Sequence, residues 1–195
     1  NAASMVATDA DGDGNVDLIV GRSSGGAFGP GGDDYYLQVL LGRGDGTFSG
    51  APVTRNAAIG AGGAGVYQLD QVPSANWVAL ADFNSDGKAD LLAPAPGSPN
   101  APPPTGLVVY QGMGNGAFGA ATLSATHFPV SVVKALDVDG DGKQDAVIAG
   151  YAGGTVTVAT LAGSGDGHVS AEVDHALPAN SGVPTGLAIG DFNGD

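Results

Sequence analysis

Apolar residues along this chain fall in short runs, three to seven residues long, separated by segments rich in Gly and Asp. Such runs include Leu18-Ile-Val20, Leu91-Leu-Ala93, Leu107-Val-Val-Tyr110 and Ala146-Val-Ile148. They are rich in β-branched side chains and too short for helices, so they predict buried strands. Residues 155–161 alternate polar and apolar, the period of a strand with one covered face. Further strands are predicted at 4–8, 36–41, 77–80, 132–136 and 185–189. No stretch has a useful 3.6-residue period. The fold class is all-β.

Two polar segments recur between these runs. The first is Asp137-Val-Asp-Gly-Asp-Gly-Lys-Gln-Asp145, repeated as Asp9-Ala-Asp-Gly-Asp-Gly-Asn-Val-Asp17 and Asp82-Phe-Asn-Ser-Asp-Gly-Lys-Ala-Asp90, and begun again at Asp191-Phe-Asn-Gly-Asp195. The second is a Gly-rich turn, Gly42-Arg-Gly-Asp-Gly-Thr-Phe48, echoed at 112–118 and 163–169. Each unit therefore reads strand, acidic loop, strand, turn, strand, Gly-rich turn, strand. Acidic loops start at 9, 82, 137 and 191. Four antiparallel strands every fifty-odd residues is the period of a β-propeller blade, and about three and a half blades are expected. The repeats are 1–76, 77–130, 131–184, and 185–195 as the start of a fourth. Low-complexity insertions at 23–32, 57–65 and 94–104 lengthen the first two, and their Gly and Pro content predicts exposed loops.

The acidic loops carry the candidate chemistry. Three oxygen-bearing side chains at alternate positions of a tight loop can face one centre, and an all-oxygen set suits Ca²⁺. By residue type, Asp137, Asp139, Asp141 and Asp145 offer side-chain oxygens and Lys143 its carbonyl. Asp9, Asp11, Asp13 and Asp17 pair likewise with the carbonyl of Asn15, and Asp82, Asn84, Asp86 and Asp90 with that of Lys88. Asp191, Asn193 and Asp195 begin a fourth, partial site. Asn84 replaces a charge with a neutral oxygen, which predicts a weaker second site. Without a cation these would be Asx turns in which like charges repel one another.

Charge agrees with this picture. The chain has 20 acidic and 6 basic residues, a formal charge of −14, and only Glu172 of the acids is Glu. Thirteen Asp lie in the four acidic segments, so the negative charge is clustered where cations would neutralise it. Six scattered basic residues form no patch for nucleic acid or an anionic membrane. Cysteine is absent, which excludes disulfides and thiolate metal sites. No apolar run reaches membrane-spanning length.

The two recurring segments together resemble the FG-GAP/VCBS repeats of integrin α-subunit propellers and of many secreted bacterial proteins. Residues 81–91 and 190–195 are most similar to the consensus. The resemblance implies a Ca²⁺-bearing propeller in which the metal loop joins the first two strands of each blade. An EF-hand is disfavoured by position twelve, which is Val20, Ala93 or Ile148 instead of Glu, and by flanking strands in place of helices.

Other residues carry weaker signals. His127, His168 and His175 have no spacing suggesting a shared metal or a catalytic pair, and no nucleophile elbow or paired acid/base signature is present. Arg43-Gly44-Asp45 falls within the Gly-rich turn and reads as part of it. Trp77, Tyr35, Tyr36, Tyr67, Tyr110 and Tyr151 could stack on sugars if exposed together, but fit core packing better. The expectation is a non-catalytic, extracellular or cell-surface Ca²⁺-binding module with a structural or adhesive role, bound to a protein, a glycan or further copies of itself. The alternatives are a lectin-like propeller and the propeller appendage of a secreted enzyme. Residues 1–195 alone are not expected to close a ring: either a longer chain or exchange between copies would complete it.

Overall fold

Short apolar runs bounded by Gly and Asp become strands because each bounding segment lets the chain reverse and pair with itself. The computed structural model describes residues 2–24, 34–50, 66–68, 78–95, 105–152, 155–177, 184 and 186–190. Within them every regular element is a strand. The first sheet holds β1 (Ala2–Thr8), β2 (Asp17–Ser24), β3 (Asp34–Gly42), β4 (Phe48–Gly50) and β5 (Val66–Gln68). The second holds β6 (Ala79–Ala81), β7 (Asp90–Pro94), β8 (Leu107–Gly112) and β9 (Phe118–Ser124). The third holds β10 (Val130–Leu136), β11 (Asp145–Ala152), β12 (Thr155–Gly163) and β13 (Val169–Ala176). All pairings are antiparallel and between chain neighbours, except that β5 joins β3.

The first sheet has five strands only because its outer strand comes in two pieces. β4 pairs with Leu40 to Gly42, and β5 pairs with Tyr36 to Gln38 on the same edge of β3. The predicted insertion at 57–65 lies between the pieces, outside the described residues. Those at 23–32 and 94–104 are shorter than expected: Ser23, Ser24 and Pro94 belong to strands, and the rest of each, save Ala95, lies outside the described residues.

The second sheet shows why these strands are almost wholly apolar. Its β7 and β8 are covered on both faces, so alternate residues enter different cores. Leu91, Ala93, Val108 and Tyr110 pack with Ile19 and Val39 of the first sheet. Leu92, Leu107 and Val109 pack with Val130, Val133, Ile148 and Leu161 of the third. Each fully buried Leu or Val contributes about 1.5–3 kcal/mol, and this sheet-on-sheet burial holds the blades together. The outer β9 is instead partly solvated, with Leu123 67% exposed.

One predicted strand is absent. Residues 186–190 have no regular structure and enter none of the described sheets, and Thr185 lies outside the described residues. No described helix is long and apolar enough to cross a membrane.

Candidate metal centre

Each of the three described acidic loops joins the first two strands of its blade, as β1–β2, β6–β7 and β10–β11. Its first carboxylate is wrapped by the loop backbone. Asp9 accepts from the N–H of Gly12 at 2.7 Å and Gly14 at 2.9 Å; Asp137 accepts from Gly140 at 2.8 Å and Gly142 at 2.9 Å. Asp82 does the same with Asp86 and Gly87, at 3.0 and 2.8 Å. The third and fifth positions make successive Asx turns. Asp11, Asn84 and Asp139 accept from the residue two further on, and so do Asp13, Asp86 and Asp141.

The acids converge. Asp9, Asp11 and Asp13 each offer an oxygen within 4.8 Å of the others, as do Asp137, Asp139 and Asp145. Asp82, Asn84 and Asp86 repeat the turn geometry with one neutral member. These are hard oxygen donors with lone pairs beyond those taken by the N–H groups, so the residues fit Ca²⁺. The electrostatics differ along the loop. Burial pushes the Asp11 carboxyl above its ordinary range, and the charges of Asp17, Asp13 and Asp9 add to the rise, against the N–H of Asp13. In the third loop the Lys143 ammonium sits 2.9 Å from Asp141 Oδ2 and, with the Lys143 N–H, holds that carboxyl below its ordinary range. Lys88 reaches Asp86 Oδ2 at 3.2 Å, and the Asn15 side-chain amide reaches Asp13 Oδ2 at 2.8 Å. Asp191, Asn193 and Asp195 lie outside the described residues.

The ninth-position acids have a second role that the motif did not suggest. Asp17, Asp90 and Asp145 are buried, and each clips the acidic loop to the Gly-rich turn of its own blade. Asp90 accepts from the N–H of Phe83 at 2.9 Å and of Gly112 at 2.7 Å. Asp17 takes Ala10 and Gly42, both at 2.7 Å, and Asp145 takes Val138 and Gly163, both at 2.8 Å. The two recurring segments are therefore halves of one hydrogen-bonded unit. Loops also touch the next blade. Phe83 at the second loop position is buried between the second and third sheets, and its carbonyl accepts from Gly167 N–H at 2.9 Å.

In the Gly-rich turn, Asp45, Asn115 and Asp166 accept from the N–H two residues on. Asp45 also takes the Thr47 hydroxyl at 2.6 Å, so the acid of Arg43-Gly44-Asp45 is engaged by its own turn. His168 pairs with Asp166 at 3.1 Å, and His175 lies 3.4 Å from Thr160 Oγ1. Of the tyrosines, Tyr110 is core and Tyr151 is exposed; the side chains of Tyr35, Tyr36, Tyr67 and Trp77 lie outside the described set. His127, by contrast, meets Glu172 and Asp174, a grouping the spacing did not suggest. The Glu172-Val173-Asp174 alternation on a strand was its only trace in the sequence.

One loop position is strained. Gly12 and Gly140 have φ of 82° and 77°, while the second loop places Ser85 there at 58°. A left-handed conformation costs an L-residue about 1 kcal/mol, part of which glycine returns to the unfolded chain as entropy. Ser85→Gly is expected to stabilise by about 0.5 kcal/mol and Ser85→Val to destabilise by about 1 kcal/mol. Urea melts of the two variants that coincide would show that this position carries no strain.

Three antiparallel sheets stacked face to face, each with an acidic loop clipped to a Gly-rich turn, define a β-propeller-type repeat module. The chain belongs to the FG-GAP repeat family: the FG-GAP-like repeat matches residues 9–93 and 137–195, more than half its length, and the FG-GAP repeat matches 74–122. No curated protein matches the chain.

Proposed function

We propose that the acidic loops bind Ca²⁺ and that the chain is a non-catalytic module, extracellular or at the cell surface, with a structural or adhesive role. The observation that carries the metal is the convergence of Asp9, Asp11 and Asp13, and of Asp137, Asp139 and Asp145, within 4.8 Å. A divalent ion there would replace mutual repulsion with shared coordination and tie the hairpin linking the first two strands. Loops of this kind, exposed and assembled from nine residues, fill at the millimolar Ca²⁺ found outside cells. A structural role is supported by how the polar groups are used: the described loop and turn carboxylates spend their hydrogen bonds largely on their own backbone. The partner is a protein or a glycan, and the partly solvated outer strands are the surfaces offered to it.

Melting in Ca²⁺ and in EDTA tests the metal. Each filled loop is expected to add about 1.4 kcal/mol when Ca²⁺ stands tenfold above Kd, and Asp137→Asn to remove one loop's share. Superimposed melting curves would sink the proposal. Glycan binding measured with and without chelator then separates a lectin role from protein adhesion.

A further inference from the structure

Away from the acidic loops, one titratable cluster joins two blades. The connector from β9 to β10 carries His127, and β13 carries Glu172 and Asp174 at alternate positions, which project from one face of a strand. His127 Nδ1 lies 3.1 Å from Glu172 Oε2, and its Nε2 lies 3.2 Å from Asp174 Oδ2. The His127 backbone N–H also donates to Glu172 Oε2, at 3.1 Å. One oxygen is left over. Glu172 Oε1 is buried with no hydrogen-bond partner among the described residues, a condition that native structures rarely leave without a water or an ion.

We propose that His127, Glu172 and Asp174 bind a divalent transition-metal ion of the Zn²⁺ class, clamping the connector between the second and third blades onto β13. One imidazole nitrogen and two carboxylates form an N/O donor set suited to Zn²⁺ and poorly suited to Ca²⁺, which takes oxygen. One donor atom from each residue lies within 4.8 Å of the other two. Rotation of the exposed His127 and Asp174 side chains about the mostly buried Glu172 would bring the donors to the roughly 2.0–2.2 Å of zinc ligation. The site is open on one side: His127 and Asp174 side chains are 53% and 46% exposed, whereas Glu172 is 15% exposed. An ion can therefore enter from solvent and complete its shell with water. Two carboxylates and a neutral imidazole carry a charge that one divalent ion cancels. The site is independent of the Ca²⁺ reading, because it shares no residue with the acidic loops.

Isothermal titration of the 195-residue chain with ZnCl₂, in millimolar Ca²⁺ to saturate the loops, tests this. One Zn²⁺ is expected to bind, and Tm to rise by roughly 5–11 °C at a hundredfold excess over Kd. His127→Ala and Glu172→Gln should each weaken Zn²⁺ binding by about tenfold or more, while Asp45→Asn in the Gly-rich turn of the first blade leaves it unchanged. If His127→Ala proves unfolded by circular dichroism, the near-isosteric Glu172→Gln decides alone. No Zn²⁺ binding, equal affinity in the folded variants, or loss in Asp45→Asn would overturn the site. The trio would then be an ion-paired clasp only.

Discussion

Gly112→Ala is expected to destabilise the chain by about 4 kcal/mol, at the extreme end for one added methyl group. A Cβ at Gly112 would stand 2.1 Å from the carbonyl oxygen of Ala89 and 2.8 Å from its carbon. Both are backbone atoms held between an acidic loop and β7, so no side-chain rotation relieves the clash. The second blade must open where β8 meets the loop, breaking the bond from Gly112 N–H to Asp90 Oδ1. Gly42 and Gly163 meet the carbonyls of Val16 and Gln144 at 2.1 and 2.0 Å, so the same substitution should be as damaging in the other blades. Gly46→Ala is the comparison: its φ is 84°, but nothing lies within 4 Å of an added Cβ, so only backbone strain of about 1 kcal/mol is expected. Urea melts decide it. Equal midpoints for Gly112→Ala and Gly46→Ala would refute the close-approach account.

Asp90→Ala is expected to cost about 3 kcal/mol. Asp90 is fully buried, and its loss strands the N–H groups of Phe83 and Gly112 without acceptors. Each stranded buried donor costs about 1–3 kcal/mol. For a chain of this length the change corresponds to a Tm lowered by roughly 6–12 °C. Asp90→Asn keeps the shape but offers one acceptor oxygen, so an intermediate loss is expected. The double variant with Gly112→Ala should cost less than the sum of the two, because both break one clip. Strict additivity would mean that the loop and the Gly-rich turn are held independently.

The clip explains why so much was legible in the sequence. Asp at the ninth loop position and the first Gly of the turn recur because every blade needs the same contact, made with a buried carboxylate and a backbone without a Cβ. Local chemistry of this kind leaves a motif at fixed spacing. The apolar runs were equally readable: β7, β8 and β11 are nearly continuous in apolar residues because both faces are covered.

Other features had no local signature. The first blade's divided outer strand depends on which edge of β3 the chain returns to after a long insertion, and composition does not encode that choice. The strand expected at 185–189 had the right residues, but apolar character alone cannot supply a ladder partner. The meeting of His127 with Glu172 and Asp174 spans 45 residues and two blades. By itself, then, the sequence determined the repeat, the strand content and the loops that could hold a cation, because these follow from periodicity and turn chemistry within some fifty residues. Only the tertiary structure decided which faces the alternating side chains share, what the ninth-position acids hold, and which distant side chains converge. Those outcomes depend on how one sheet stacks on the next.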